Sequence, residues 1–202
     1  MITFRIPLKK GNQFFSFSLA RHCVLLAGSR HTQVAQQTCK DLLQAFDHNG
    51  FTFYVGCAKG VDRSFRRALS QSTYQDHCFV ACAFSNRTNP IYSYGLYASV
   101  VVPANLPPVA ALFRRTIWLV TRCAMVLLFP ESPNHNNNWG KGSRLVFKTA
   151  LFHLKPVFVV TEKAPDPSMH YKVLKSNLFG VVNGFWVVPY PIEDGGTCDE
   201  EY

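Results

Sequence analysis

A chain of 202 residues with 48% hydrophobic and 16% charged side chains is long enough for one substantial core and too apolar for a disordered segment. Its formal charge of +9 is uneven. Glu193, Asp194, Asp199, Glu200 and Glu201 crowd the last ten residues, which leaves 21 basic against 7 acidic side chains elsewhere, a body of +14. Such a body favours phosphate-bearing partners, nucleic acid or nucleotides. No apolar run approaches the roughly 20 residues of a membrane span. The opening Met-Ile-Thr-Phe-Arg-Ile-Pro has no apolar core of a secretory signal, so neither a membrane role nor export is expected. Cysteines 23, 39, 57, 78, 82, 123 and 198 form no Cys-x-x-Cys pair. They read as reduced core thiols of a cytoplasmic protein, with no metal and no cofactor expected.

In chain order, residues 2–7 and 13–19 predict two short strands around a turn at Lys9-Lys-Gly-Asn12. Cys23-Val-Leu-Leu-Ala27 is wholly apolar, as a central parallel strand covered on both faces requires. A helix is predicted from Thr32 to Asp47, stopped by Asn49-Gly50. Phe51 to Val55 alternates as a strand, breaks at Gly56 and Gly60, and resumes with Val61, Phe65, Ala68 and Leu69 on one helical face. Cys78–Phe84 predicts the third strand of this series; Ala98–Val102 reads either as a short strand or as an apolar loop. Pro107-Pro108 opens a helix to about Arg122, since proline suits a first helical turn. Ala124–Phe129 is a fourth buried strand. Helix 143–154 and strand 156–160 close the unit. Strands alternating with helices predict an α/β fold: a Rossmann-like, doubly wound parallel sheet of about five strands, with β-hairpin additions at both termini. The expected division is an N-terminal hairpin extension (1–21), the Rossmann-like domain (22–160), a C-terminal hairpin extension (161–192) and an acidic tail (193–202). The Asn183-Gly184 pair is the turn signal of the second hairpin. The tail has two readings, a solubilising end or a tethered competitor for the basic site.

In such sheets ligands collect beyond the carboxyl ends of the strands, and the glycines and cations of this chain gather there. Gly28, Ser29 and Arg30 end one strand. Gly56, Cys57, Ala58, Lys59 and Gly60 end the next, and Asp62 and Arg63 open the helix after it. Arg87 follows a third, and Trp139, Gly140, Lys141, Gly142, Ser143 and Arg144 follow a fourth. Glycine turns at helix starts aim backbone N–H groups at an anion, while arginine forks add geometry as well as charge. Arg115, on the helix after Pro108, completes the expected ligand set. Asp62 either caps its helix or accepts hydrogen bonds from a ligand, and Arg66 and Arg67 read as a solvated helix face. Tyr92 and Tyr94 read chiefly as packing at the sheet edge; Trp139 reads equally as packing or as a base-stacking platform. Asp62 and Glu131 are the acids expected near the ligand face, and either is a weak general-base candidate. The spacing lacks the Gly-Lys-Ser/Thr ending of an ATPase P-loop, which argues against ATP hydrolysis.

Val24-Leu-Leu-Ala-Gly-Ser-Arg30 followed by Gly56-Cys-Ala-Lys-Gly-Val-Asp62 resembles the SLOG superfamily of Rossmann-like proteins, which includes the DprA DNA-processing proteins, the LOG phosphoribohydrolases and YspA-like proteins. The resemblance covers residues 22–160 and is most detailed for the DprA pattern. Ala68-Leu69, Phe113-Arg-Arg-Thr-Ile117, Gly142-Ser-Arg-Leu145 and Lys155-Pro-Val-Phe-Val159 occupy the places of its later motifs. Thr116 and Ile117 stand where that family has Asn and a further Arg. The resemblance implies single-stranded DNA as the partner. The alternative it implies is a small-nucleotide sensor or N-glycosidase-like enzyme, but the position of the LOG catalytic glutamate is Val146 here. A homo-oligomer built through the hairpins is compatible with either.

Overall fold

The computed structural model describes residues 2–7, 14–131 and 139–190. The turn expected at Lys9–Asn12, the polar segment around His135, and the acidic tail with Cys198 lie outside the described residues. In chain order the elements are β1 (Ile2–Pro7), β2 (Phe14–Leu19), β3 (Cys23–Gly28), α1 (Gln36–Asp47), β4 (Thr52–Gly56), α2 (Val61–Ser70), β5 (Cys78–Cys82), α3 (Pro90–Ser93), β6 (Ala98–Val100), α4 (Pro108–Arg122), β7 (Met125–Phe129), α5 (Lys141–Phe152), β8 (Val157–Val159), β9 (Tyr171–Leu178) and β10 (Val182–Pro189).

Eight strands form one sheet in the order β6-β5-β4-β3-β7-β8-β10-β9. The run from β6 to β8 is parallel, so the segment 98–102 that the sequence left open contributes an edge strand. β3 and β7 are buried along their length, as unbroken apolar runs demand when helices cover both faces. From β3 the chain winds outward through β4, β5 and β6, then crosses back along α4 to β7 on the other side of β3. The strand order therefore reverses between β3 and β7, and their carboxyl ends flank the switch point where open α/β sheets hold ligands.

Helices α1 and α2 share one core with the inner residues of the sheet, and α4 and α5 share a second core on the opposite face. The two terminal hairpins behave differently. β1 and β2 pair only with each other and lie on the α1/α2 face, where Phe4 and Phe17 pack their rings 5.1 and 4.9 Å from Trp186. β9 and β10 instead extend the sheet, β10 running antiparallel to β8.

The Asn183-Gly184 turn expected from the sequence is a correction. Both residues lie inside β10, and the chain reverses over the three residues between the paired Leu178 and Val182, where Phe179 and Gly180 have φ values of 55° and 77° and Val181 N–H donates to the Leu178 carbonyl at 3.0 Å. Gly184 is needed in the strand because a methyl group there would overlap the Val159 carbonyl and the Phe158 ring of the neighbouring β8. Helix α1 also starts later than predicted. The preceding residues are held by other partners: His31 N–H donates to Ser29 Oγ at 3.0 Å, Val34 N–H donates to Ser64 Oγ at 3.2 Å, and Thr32 Oγ1 donates to the Pro130 carbonyl at 3.5 Å. Those bonds tie the segment to the strand ends and to α2, and the helix begins at Gln36.

Among the described residues, no helix is long and apolar enough to cross a membrane, and no group of three or more His, Cys, Asp or Glu is placed to hold a metal ion.

Candidate functional site

Two turns meet at the switch point. After β3 the chain turns at Ser29, whose N–H donates to the Phe129 carbonyl at the end of β7 (2.9 Å) and whose carbonyl accepts from Val61 N–H (3.2 Å). Ser29 is buried, and its Oγ reaches Glu131 Oε2 at 3.4 Å. The same carboxylate oxygen lies 3.4 Å from where a side chain on Gly140 would begin. The Gly28–Arg30 turn, Glu131 and the start of α5 are thus contiguous. Gly60 closes the other side. Its φ is 66°, and a side chain there would overlap the backbone of Ser29 and Arg30, so glycine serves both conformation and approach. Gly60 and Gly140 stand at the N-terminal ends of α2 and α5, and both helix ends therefore open on this region.

Beneath the turns lies a buried charge cluster. Asp62 (6% exposed) accepts from Ala58 N–H at 3.2 Å and from Arg115 Nη1 at 3.5 Å. Its side chain caps no helix end, which corrects the capping role expected from the sequence. Asp62 anchors the glycine loop. Arg115 (8% exposed) sits against Gly56, where any side chain would strike the guanidinium, and its Nε has no hydrogen-bond partner among the described residues. Arg66 (3% exposed) is also buried, which corrects the solvated face expected from the sequence. Its Nη1 donates to the Gly56 carbonyl, its Nη2 to the Ala58 carbonyl at 2.9 Å, and its Nε to the Tyr92 carbonyl at 3.1 Å. One fork therefore shapes the glycine loop and fastens it to α3. Burial draws the Arg66 pKa down from the usual arginine value, and the Asp62 charge opposes it.

Cys57 belongs to this cluster. Gly56 is in register with Ala81, so the next residues along β4 and β5 are the neighbours Cys57 and Cys82. The Cys82 thiol donates to the Cys57 sulfur and lowers its pKa from the ordinary 9.0 to about 6; burial opposes this and the Arg115 guanidinium assists. Cys82 is shifted upward by the same hydrogen bond and by burial. Because the folded-state value of Cys57 lies below the unfolded one, its stabilising contribution is complete above about pH 9 and is lost as pH falls through 6. Ultraviolet thiolate absorbance, taken as the difference between the parent protein and Cys57→Ser, should titrate with a midpoint near 6 for Cys57. Cys82→Ala should move that midpoint upward, and an ordinary thiol midpoint in the parent protein would contradict the arrangement.

The other predicted residues divide by exposure. Arg30, Lys59, Arg63, Lys141 and Arg144 are exposed on the two turns and the first turns of α2 and α5, as is Gly142. Ser143 is buried at 3%. Trp139 is buried at 8% and meets Phe147 edge-on at 5.0 Å, so it packs on α5 and offers no stacking face. Arg87 does not reach the two turns by any contact described; its guanidinium lies over the Tyr92 ring, 4.8 Å from the centroid. Glu131 is half-buried against Ser29, and Val146 is buried in the α4/α5 core.

The chain therefore presents a Rossmann-like, doubly wound sheet whose cationic glycine turns and helix N-termini meet at its switch point. Solved structures share this fold. DNA processing protein A from Helicobacter pylori, described for its single-stranded DNA binding mode, superposes with a TM-score of 0.53 at 14% identity, over 80% of this chain and 81% of that one. DNA processing protein A (DprA) from Streptococcus pneumoniae superposes with a TM-score of 0.50 at 16% identity, over 74% of this chain and 52% of that one. The chain thus spans about half the length of the S. pneumoniae protein. No family model matches the sequence, and no curated protein matches it.

Proposed function

We propose that this protein binds single-stranded DNA through backbone phosphates at the carboxyl ends of β3, β4 and β7. The observation that carries the reading is the set of exposed cations, Arg30, Lys59, Arg63, Lys141 and Arg144, on contiguous glycine turns and helix starts. Arg66 and Arg115 are buried, so the positive charge exposed to a ligand lies along the rim. A helix end alone favours an anion by only about 0.3–1 kcal/mol, while micromolar affinity requires roughly 8 kcal/mol. Several phosphates engaged together by separate cations meet that requirement more readily than one does. The +14 body and the fold shared with the H. pylori protein support the same partner. The buried free thiols of Cys23, Cys39, Cys57, Cys78, Cys82 and Cys123 support a reducing, cytoplasmic setting.

Filter binding of an oligodeoxynucleotide across a salt series tests the reading. The log–log plot of affinity against salt should fall with a slope of about −0.7 for each phosphate neutralised. Binding that is absent or independent of salt overturns it. So does a thermal shift with mononucleotides in a protein that ignores oligonucleotides, which would establish the small-nucleotide reading instead.

A further inference from the structure

Beside the glycine loop stand two tyrosines and Arg87, which the phosphate site does not use, joined to it through Arg63. Tyr92, in α3, is 44% exposed, with the Arg87 guanidinium over its ring. Tyr94 follows with φ of 60°, and its hydroxyl accepts from Arg63 Nε at 2.9 Å. Asn89 starts the turn by accepting from Ile91 N–H at 2.9 Å, with Pro90 next in sequence. The turn is fastened to the site, because the Arg66 fork that holds the Gly56 and Ala58 carbonyls also holds the Tyr92 carbonyl. Arg63 and Arg66, one turn apart on α2, thereby set the position of both tyrosines relative to the glycine loop. A half-exposed aromatic ring with a guanidinium on it is an amphipathic face that a nucleobase can cover, and its position is held by buried groups.

We infer that the Arg87–Tyr92 pair, with Tyr94 and Arg63 as its support, is a base-stacking subsite for the single strand whose phosphates the glycine turns hold. The inference rests on the single-stranded DNA reading and deepens it. Stacking on an aromatic face tolerates any base, since every base has a π-face, and the guanidinium adds a cation–π contact. The subsite thus supplies binding without sequence preference. Tyr92 is the stacking residue and Arg87 its partner; Arg66 is a positioning residue.

The experiment is fluorescence anisotropy at fixed salt with two probes, an oligodeoxynucleotide and an abasic strand of the same length. Tyr92→Ala should weaken binding of the oligonucleotide by roughly 5- to 100-fold, the range of one lost stacking contact, and leave the abasic strand unchanged. Tyr92→Phe should retain the wild-type values on both. Wild-type protein that binds both strands while Tyr92→Ala weakens neither, or weakens both equally, overturns the stacking subsite and leaves phosphate binding standing. Wild-type protein that binds neither strand overturns the DNA reading and this inference with it. Urea unfolding of Tyr92→Ala, expected to match wild type for so exposed a ring, separates a lost contact from a lost fold.

Discussion

Replacing Asp62 by alanine is expected to lower the unfolding free energy by about 3–5 kcal/mol, the usual cost of breaking a buried ion pair by removing one partner. The effect is large because two guanidiniums depend on this carboxylate. Arg115 pairs with it directly, and its charge also acts on Arg66. Both arginines are buried, so water cannot take over the lost interaction. The Ala58 N–H loses its acceptor in the same change. The measurement is urea denaturation, with a drop in midpoint at unchanged slope. Asp62→Asn, which keeps an oxygen for Ala58 but removes the charge, should fall between. The double change Asp62→Leu with Arg115→Met removes the pair together and should recover much of the loss, as apolar replacements of buried pairs do. A single Asp62→Ala within about 1 kcal/mol of wild type would show that the cluster does not hold the fold in this way. Cys57 offers a second readout. Asp62 raises the Cys57 pKa, so Asp62→Ala should make that thiol still more acidic.

The triple change Arg30→Ala, Lys59→Ala and Arg144→Ala is expected to do the opposite, leaving stability nearly intact while removing most DNA affinity. All three side chains are exposed, and substitutions of that kind usually change stability by about 0.5 kcal/mol or less. If each contacts one phosphate, the salt dependence should flatten by about 2 in log–log slope. At about 1.5 kcal/mol for each charged contact, affinity should fall by roughly 1,000-fold. A parallel triple change of Arg21, Arg122 and Lys172 to alanine controls for general loss of charge, because none of these lies on the glycine turns. Equal losses from the two sets would mean that net charge alone attracts DNA to this protein, without a site at the strand ends.

Much of the fold was legible because its signals are local. Cys23–Ala27 and Ala124–Phe129 are apolar without interruption, and each became a strand buried on both faces. Pro107-Pro108 marked the start of α4. Val61, Phe65, Ala68 and Leu69 described the inward face of α2, and all four are buried. The glycine turns were visible for the same reason, as breaks between a strand pattern and a helix pattern. Where local signals competed with tertiary packing they failed. Asn183-Gly184 has the composition of a turn, yet close approach to β8 placed it inside a strand and moved the reversal to Phe179-Gly180.

The sequence by itself thus determined the elements, their alternation, and the collection of glycine and positive charge at the strand ends, since each depends on residues near one another in the chain. The tertiary structure alone decided which of those charges are free. Arg66 and Arg115 cannot be told from Arg63 and Arg114 by type or by neighbours. The crossover of α4 brought Arg115 over Gly56, and the pairing of β4 with β5 brought Cys57 beside Cys82. Contacts between residues tens of positions apart are set by strand order and register, which no local pattern encodes. The same long-range contacts fastened Tyr92 to the glycine loop through Arg66 and turned Trp139 into the core.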